Sequence, residues 1–418
     1  MKKVCALLCL FLCFSITAAE KKDITENDTI NVYSLIDSDT EIFINNYNDQ
    51  DPGEKIKFIP LKWYETLLEK ISTDSEQTLD IIIMGQDLFE ACANNPEEYF
   101  LDLTDIYESI KDQIVEYPSK VTLIDGKIYG IGLFPYTGAY YYRRSLAKKY
   151  LGTDDPVVVQ KAISDWDKFS KTAERLYKKS NGKCKIISAT DSLLVPFLAQ
   201  RKQNWVEDGK LVIDPLMLKY LDMCKEFSDK DYEAKCRMWT QEWMLSFSEN
   251  YDDDYEIFGY FLADWQFFNI LKVSAPDTKD DWGVVQGPSN YFYSDTLIFL
   301  NKKCKNPELA KKFIKFMLTD EKSIMEYSDK DKCLYANKVI MKKKYSNYKD
   351  DYLNGQNVYL ELLKYSEDVV PKSIQSTDTD IQADWMLMIE GYLDGRCTKE
   401  EGIRFFKDHV EIDTGISD

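Results

Sequence analysis

Apolar and polar residues follow two different periods along the first hundred residues, one typical of strands and one typical of helices. Apolar runs at Thr29–Ile36, Lys55–Pro60 and Asp80–Met84 predict three strands. The last run is continuously apolar, as in a parallel strand that is buried on both faces. Glu41–Tyr47 and Trp63–Ser72 are predicted as the intervening helices. Strands that alternate with helices predict a doubly wound α/β lobe.

The stretch at residues 125–146, DGKIYGIGLFPYTGAYYYRRSL, predicts that the chain changes sheets. Ile128–Ile131 is predicted as a strand, and Pro135 ends it because proline is tolerated at strand ends but not in central strands. After a short polar break, Tyr140–Tyr142 predict a strand in another sheet. A chain that leaves one sheet and enters another joins two lobes by a hinge.

The rest of the chain continues this mixture of strands and helices. Ser164 or Asp165 is expected to cap an amphipathic helix, and Lys183–Ser188 is predicted as a strand. The region Trp205–Tyr255 is predicted to be helical and acidic. Asn306–Phe316 is predicted as an amphipathic helix with a proline near its first turn.

A succession of short motifs runs along nearly the whole chain. The motifs are Gly-Lys-Ile-Tyr-Gly at 126–130, Tyr-Tyr-Arg-Arg at 141–144, Trp-Asp-Lys-Phe at 166–169, an apolar strand ending in Trp at 257–265, Trp-Gly-Val at 282–284 and Asn-Pro-Glu at 306–308. In this order they resemble the carbohydrate-binding family of bacterial extracellular solute-binding proteins. The resemblance implies a periplasmic binding protein-like type 2 fold, in which two doubly wound α/β lobes are joined by a hinge. It also implies that a mono- or oligosaccharide is captured between the lobes and delivered to the permease of an ABC importer.

The family's topology implies that each lobe is built from separate stretches of chain. With 418 residues the chain also exceeds what one core usually holds, so two domains are expected. We expect a signal peptide at 1–19, a first lobe 1 segment at 20–133, a first lobe 2 segment at 134–279, a second lobe 1 segment at 280–325 and a helical C-terminal lobe 2 segment at 326–418.

The N-terminus has the features of a secretory signal peptide. Two lysines precede an apolar run at Val4–Phe14, and small residues precede an expected cut after Ala19. A membrane anchor is the weaker interpretation, since the run is shorter than the roughly 20 residues that span a bilayer. A lipoprotein signal at Cys9 or Cys13 is the other alternative, but bulky leucines precede both cysteines. We therefore expect an exported protein, periplasmic or extracellular, and we favour a soluble form over a lipid-anchored one.

Composition restricts the class of partner. The formal net charge of −19 argues against a nucleic-acid partner, which needs a basic surface, and against docking on anionic lipid. The hydrophobic share of 44% is enough for globular lobes, and the aromatic share of 14% suits a binding site with aromatic walls. We expect a monomer that binds a small molecule.

Cysteine and histidine usage gives two further expectations. Of the ten cysteines, three lie in the predicted signal peptide and seven remain, so at least one thiol stays free. Cys224 and Cys236 are the first candidates for a disulfide. The sequence has no Cys-x-x-Cys motif and its only histidine is His409, so neither a metal nor a cofactor is expected.

A sugar presents apolar C–H faces and a rim of hydroxyl groups, so its site needs aromatic rings with carboxylates or amides. Asp264 and Trp265 end an apolar strand, where open α/β sheets place ligands, and the resemblance implies that Trp265 stacks on the sugar. The alternative is that Trp265 covers a core and Asp264 begins the next helix. Gln86 and Asp87 follow Asp80–Met84 and are expected to bind hydroxyls, although Asp87 could equally cap the next helix.

Further candidates lie in loops. Tyr136 and Thr137 stand at the predicted crossover, where packing of the hinge is the alternative role. The other candidates are Tyr293, Ser294, Asp295, Asn354, Gln356, Asn357 and Ser34. The stretch from Phe292 departs from the Trp-Gly-Gly of close relatives, which indicates a different specificity. For the three amides, a surface turn is the alternative.

The resemblance implies a binding protein and not an enzyme. His409 lies in a terminal amphipathic segment, which disfavours a Ser-His-Asp catalytic triad. A glycosidase needs only two carboxylates, and among 72 acidic residues the sequence does not exclude such a pair. A stand-alone receptor for a non-sugar solute is the other alternative.

Overall fold

The computed structural model describes residues 29–34, 37–60, 71, 79–248, 254–293, 296–370, 372 and 374–417. The strands are β1 (Thr29–Ser34), β2 (Lys55–Pro60), β3 (Ile81–Gly85), β4 (Leu123–Ile124), β5 (Lys127–Ile128), β6 (Gly130–Phe134), β7 (Gly138–Arg143), β8 (Cys184–Lys185), β9 (Val206–Glu207), β10 (Lys210–Leu211), β11 (Glu256–Ile257), β12 (Gly259–Ala263), β13 (Trp282–Val285) and β14 (Thr296–Leu300). The predicted signal peptide, and the predicted helix Trp63–Ser72 apart from Ile71, lie outside the described residues.

Helices cover both sheets and form most of the C-terminal half. They are α1 (Asp37–Gln50), α2 (Gln86–Cys92), α3 (Thr104–Ile110), α4 (Tyr117–Lys120), α5 (Arg144–Leu146), α6 (Pro156–Ala162), α7 (Trp166–Ser180), α8 (Leu194–Gln200), α9 (Pro215–Asp229), α10 (Gln241–Leu245), α11 (Asp264–Gln266), α12 (Lys272–Ser274), α13 (Pro307–Thr319), α14 (Glu321–Asp331), α15 (Lys338–Lys344), α16 (Val358–Ser366), α17 (Asp378–Leu393) and α18 (Lys399–Thr414).

The first sheet has the order β2-β1-β3-β14-β6, with β1, β2 and β3 parallel and β14 antiparallel to its neighbours. Successive side chains of a strand point to opposite faces. Ile81 and Ile83 of β3 therefore enter a central core, while Ile82 and Met84 enter a separate core on the other face. The prediction of a parallel strand buried on both faces is confirmed here.

The second sheet has the order β12-β7-β13 and is antiparallel. Tyr141 of β7 enters the same central core as β3, whereas Tyr140 and Tyr142 enter a lobe 2 core that also holds residues of α17 and α18. Gly283 of β13 pairs with Tyr142, and a Cβ atom at Gly283 would lie 2.3 Å from the Tyr142 ring. Glycine is therefore required opposite this tyrosine.

The chain passes between the sheets where the sequence predicted it would. β6 belongs to the first sheet, β7 belongs to the second, and only residues 135–137 separate them. A second strand crosses back beside the first, because Thr137 pairs with Phe292 in an antiparallel bridge. The backbone N–H of Gly138 donates to the carbonyl of Tyr291 at 2.9 Å.

One expected segment boundary is corrected by the sheet pairing. The second lobe 1 segment was expected to begin at residue 280, but β13 (Trp282–Val285) is hydrogen-bonded to β7 in the second sheet. The chain returns to the first sheet only with β14, which begins at Thr296. Residues 282–285 therefore belong with lobe 2.

One predicted helix cap is confirmed, while a predicted strand and a predicted helical region are shorter than expected. Asp165 caps α7 by accepting from the backbone N–H of Lys168 at 2.8 Å, as one of the two expected caps. The predicted strand Lys183–Ser188 is reduced to the two residues of β8. Among the described residues of the acidic region Trp205–Tyr255, which exclude 249–253, helices are confined to α9 and α10.

The expected disulfide between Cys224 and Cys236 is wrong. Neither forms a disulfide and both are buried, whereas Cys397 forms no disulfide and is partly exposed. Cys224 packs in the lobe 2 core and Cys236 packs in the central core, so different hydrophobic cores hold the two thiols. Among the described residues, no helix is long and apolar enough to cross a membrane.

Candidate functional site

Four aromatic side chains gather where the two crossing strands meet lobe 2. We call Tyr136, Trp239, Trp265 and Tyr293 the aromatic cluster. Trp265 is the second residue of α11, just after β12, and Trp239 lies nearly parallel to it with ring centroids 5.8 Å apart. Tyr136 and Tyr293 meet the tryptophans edge-on, at 6.4 Å from Trp265 and 6.2 Å from Trp239 respectively. The backbone N–H of Tyr293 donates to the carbonyl of Tyr136 at 3.1 Å, which joins the crossing strands at this point.

Trp239 holds an unusual conformation for a bulky residue. Its φ of +68° lies in the left-handed region, and its side chain is 48% exposed. A large side chain in this region is a genuine outlier that costs about 1–3 kcal/mol, and such strain concentrates at functional sites. Trp239 was not among the predicted site residues, because its neighbours in the cluster come from distant parts of the chain. The aromatic spacing of Trp239, Trp243 and Phe247 was the available signal.

A cavity of about 150 Å³ lies beside the cluster, between the lobes. Lobe 1 contributes Gln86 and Val121, and lobe 2 contributes Arg201 and Asp378. Tyr293 belongs to both the cavity wall and the aromatic cluster. The cavity adjoins a groove of about 1140 Å³, with which it shares the lining residues Ala199, Arg201, Val370 and Lys372.

Three residues that line the cavity carry buried polar atoms with no hydrogen-bond partner among the described residues. These atoms are Gln86 Oε1, Arg201 Nη1 and Asp378 Oδ1. A buried polar atom without a partner costs about 1–3 kcal/mol. Burial also raises the pKa of Asp378 and lowers the pKa of Arg201. Two hydrogen-bond acceptors and one hydrogen-bond donor are thus available to a ligand.

Residues 374–379, which we call the bridging segment, connect the lobes across the cavity. The backbone N–H and hydroxyl of Thr379 donate to the carboxylate of Glu90 in α2, at 2.6 and 2.8 Å. The backbone N–H of Ile374 donates to the carbonyl of Val121 at 3.2 Å. On the lobe 2 side, the Gln375 amide exchanges hydrogen bonds with the backbone of Val206. The bridging segment therefore links the two lobes by hydrogen bonds.

The predicted pair Asp264 and Trp265 separates in the structure. Trp265 is half-buried in the aromatic cluster, whereas Asp264 is fully buried and its Oδ2 accepts from the backbone N–H of Leu334 at 2.8 Å. Burial raises the pKa of Asp264 to about 7. Asp264 lines neither the cavity nor the adjoining groove, so its expected role in binding hydroxyls stays a prediction. The alternative, that Asp264 begins the next helix, agrees with the start of α11.

Gln86 and Asp87 also separate. Gln86 lines the cavity, while Asp87 is exposed in the first turn of α2. Gly85 occupies the N-cap position, so the alternative of Asp87 as the cap is wrong. Neither Asp87 nor Trp265 lines the cavity or the adjoining groove.

Two predicted hydroxyl ligands are buried, one in β1 and one between β6 and β7. Thr137 and Ser34 are both fully buried and neither lines the cavity, so contact between their hydroxyls and a ligand stays a prediction. Tyr136 keeps its place at the crossover, and its hydroxyl accepts from the Thr296 hydroxyl at 3.2 Å. Ser294 and Asp295 lie outside the described residues.

The three predicted amides have structural roles, which corrects their assignment as ligand contacts. Gln356 accepts from the backbone N–H of Val284 and donates to its carbonyl, which satisfies the edge of β13. Asn357 caps α16 through the backbone N–H of Leu360. Asn354 lies in an exposed turn with φ of +50°. The surface turn, which was the alternative for the amides, describes Asn354.

Two α/β lobes, joined by paired crossing strands around an interlobe cavity, define the hinged fold of periplasmic binding proteins. A family model described as bacterial extracellular solute-binding protein matches residues 43–351, and the chain belongs to this family. Its members are binding proteins, and the description implies export. No curated protein matches the sequence.

Solved structures confirm the predicted fold class. A crystal structure of an extracellular solute-binding protein of family 1 has a TM-score of 0.81 at 15% identity, covering 92% of this chain and 99% of that chain. The sugar-binding protein MalE from Xanthomonas citri has a TM-score of 0.71 at 12% identity, with 92% and 96% covered. The galacto-N-biose-/lacto-N-biose I-binding protein of an ABC transporter from Bifidobacterium longum, in complex with lacto-N-biose, has a TM-score of 0.67 at 17% identity, with 93% and 98% covered.

Proposed function

We propose that the protein captures a carbohydrate between its two lobes and delivers it to the permease of an ABC importer. Family membership supports solute binding, and the sugar ligands named for structural neighbours support a carbohydrate. The observation that carries the proposal is the set of unpartnered polar atoms of Gln86, Arg201 and Asp378 in one interlobe cavity.

The chemistry of these atoms matches that of sugar hydroxyls. Each hydroxyl both donates and accepts, so it can donate to Gln86 Oε1 or Asp378 Oδ1 and accept from Arg201 Nη1. Bonds of this kind would remove the cost of leaving the three atoms buried and unpaired. A neutral polyhydroxylated ligand therefore matches the hydrogen-bonding groups of the cavity better than an apolar ligand does.

The aromatic cluster would supply the apolar contact. A sugar ring held between two aromatic faces needs them roughly 7–8 Å apart, since each carbon contact is about 3.5–4 Å. The 5.8 Å between the rings of Trp239 and Trp265 leaves no such gap. The sugar would therefore cover the exposed face of Trp239, while Trp265 supports that ring from behind.

Binding would require the lobes to open and close. Small-molecule pockets usually measure about 300–1,000 Å³, so the cavity of about 150 Å³ would have to widen toward the adjoining groove to hold a sugar. Opening would break the contacts of Thr379 with Glu90 and of Ile374 with Val121. To shift the ratio of closed to open molecules from 1:99 to 99:1, a ligand must bind the closed form more tightly than the open form by about 5.5 kcal/mol.

The proposal assigns no bond-breaking step to the protein, which acts as an exported monomer. A thermal-shift screen of sugars, polyols and oligopeptides tests it, because a ligand at 100 times its dissociation constant adds about 2.7 kcal/mol of stability. We expect at least one sugar to raise the melting temperature.

A response to oligopeptides alone would contradict the carbohydrate ligand. Release of nitrophenol from nitrophenyl glycosides would instead support the glycosidase alternative. A sugar response in a protein that stimulates no importer reconstituted with its neighbouring permease genes would support a stand-alone receptor.

A further inference from the structure

The last two helices bring the only histidine of the chain beside two carboxylates. α17 and α18 are joined by the five residues 394–398 and pack against each other, with the ring centroids of Trp385 and Phe406 5.0 Å apart. Asp384 lies on α17, and His409 and Asp413 lie one turn apart on the same face of α18. One ligand atom from each of the three lies within 4.8 Å of the others.

Asp384 provides an independent reason to look for a ligand. The residue is only 7% exposed, and its Oδ2 has no hydrogen-bond partner among the described residues. Its Oδ1 lies 3.6 Å from His409 Nδ1, too far for a good hydrogen bond. Burial, and then the nearby carboxylate of Asp413, raise the pKa of Asp384. A buried carboxylate beside a second carboxylate is costly unless a cation is shared between them.

We infer that Asp384, His409 and Asp413 form a binding site for a divalent transition-metal ion, with Zn²⁺ as the best match. Imidazole nitrogen together with carboxylate oxygen suits zinc, whereas calcium and magnesium prefer oxygen ligands alone. The expectation of no metal rested on the absence of cysteine pairs and on a lone histidine. It could not include carboxylates that tertiary packing brings to that histidine.

The geometry requires only a small adjustment. A metal about 2.1 Å from each ligand holds neighbouring ligand atoms roughly 3–3.5 Å apart. The three atoms, now within 4.8 Å, would have to approach by about 1 Å. His409 is half-buried and Asp413 is exposed, so both side chains have room to rotate and the ion has a path from solvent. Three protein ligands leave a position for water.

The bound ion would fasten α18 to α17. The N-terminal end of α17 carries Thr379, which donates two hydrogen bonds to Glu90 of lobe 1. The site is nevertheless separate from the interlobe cavity, and the inference does not depend on the proposed carbohydrate function. An ion that binds the folded state alone stabilises it by mass action.

Calorimetric titration of the chelator-treated protein with ZnCl₂ tests the inference, with CaCl₂ as the comparison ion. We expect one zinc per chain and no comparable calcium binding. His409→Gln and Asp413→Asn should each weaken zinc affinity at least about tenfold, as loss of a ligand or of its support does in metal sites. Because Asp384→Asn alters a buried position, the two α18 variants keep the test independent of folding at that position.

Two control variants make the assignment specific. Asp408→Asn removes an exposed carboxylate from the same helix, and Cys397→Ser removes the partly exposed thiol near the turn. Both should bind zinc as tightly as the parent protein. With Co²⁺ in place of zinc, the visible absorption spectrum should change in His409→Gln and remain unchanged in both controls. Absence of stoichiometric zinc binding, or equal binding by His409→Gln, would overturn the inference.

Discussion

The aromatic cluster and the interlobe cavity share one residue, Tyr293, yet they are built in opposite ways. In the cluster, the unusual feature is backbone conformation, since Trp239 and Tyr136 both have positive φ. In the cavity, the unusual feature is unsatisfied side-chain polarity, at Gln86, Arg201 and Asp378. A ligand can cover the exposed Trp239 ring without altering its backbone, but it would supply the hydrogen bonds that the cavity lacks.

This difference separates two contributions to binding. The cluster offers a rigid apolar face at little entropic cost, which suits many sugars equally. The cavity offers a fixed arrangement of donors and acceptors, and a site built on such groups rejects guests that leave them unpaired. We therefore expect the cluster to set general affinity and the cavity to set the choice of sugar.

The largest expected effect concerns the support beneath the cluster. The pKa of Asp264 rises from 3.8 to about 7 on folding, mainly through burial. The folded protein keeps this proton longer than the unfolded chain, so the group's contribution to stability is full below about pH 4 and is lost as pH rises toward 7. Asp264→Asn keeps an acceptor for Leu334 and removes the titration. Relative to the parent protein, its free energy of unfolding should rise by up to about 4 kcal/mol between pH 4 and pH 8.

Chemical denaturation at a series of pH values measures this difference directly. Asp87→Asn is the control, because Asp87 is an exposed carboxylate on α2. A difference between Asp264→Asn and the parent protein that stays constant with pH would contradict the assigned origin of the shift.

Arg201→Met should weaken binding of the best sugar from the screen by about 10- to 100-fold, because a hydrogen bond from a charged donor is worth about 1.5–3 kcal/mol. Methionine keeps a long apolar stem beside Trp205, over which the guanidinium now lies at 4.7 Å. Arg396→Met, at an exposed arginine after α17, is the matched control and should bind normally. Calorimetry compares the two, and equal affinities would remove Arg201 from the site.

Substitutions at Trp239 separate the ring from the strained backbone. Trp239→Ala and Trp239→Gly both remove the stacking face and should weaken sugar binding by about tenfold. Only glycine adopts the φ of +68° without strain, so Trp239→Gly should be about 1 kcal/mol more stable than Trp239→Ala. Equal stability of the two variants, by denaturant titration, would show that the backbone at this position relaxes once the ring is gone.

The smallest effect is expected at the bridging segment. Thr379→Ala removes the hydroxyl bond to Glu90 but keeps the backbone bond, so the closed form should lose about 1 kcal/mol and sugar affinity about fivefold. Thr377→Ala is the control, since the Thr377 side chain makes no cap bond to α17. Small-angle scattering of the unliganded variant should detect a larger population of open molecules. An unchanged scattering profile and affinity would mean that this hydroxyl does not hold the lobes together.

Local patterns predicted much of the fold. The apolar run at Asp80–Met84 could be recognised because both faces of β3 are buried, and Pro135 marked the crossover because proline cannot continue a central strand. Gln86 was found because it follows β3 directly. Each of these conclusions depends on residues that are close together in the sequence.

The rest of the site depends on contacts between distant residues. Arg201 and Asp378 line one cavity only after α8 and the bridging segment meet lobe 1. Asp264 could not be distinguished from a ligand contact, because its partner Leu334 is 70 residues away. Gln356 was assigned to the site for the same reason, since its partner Val284 lies 72 residues back along the chain. Strand ends can be read from sequence, but the direction of a side chain at a strand end cannot.

The paired crossing strands restrict how the lobes can move. The bridge between Thr137 and Phe292, with hydrogen bonds on either side, makes the two crossing strands a narrow ribbon, and the bridging segment links the lobes as well. Such a ribbon resists sideways shear, because that motion would break the hydrogen bonds between its strands. We expect the lobes to rotate about a single axis. Every opening would then have the same direction, and a permease would meet the same surface each time.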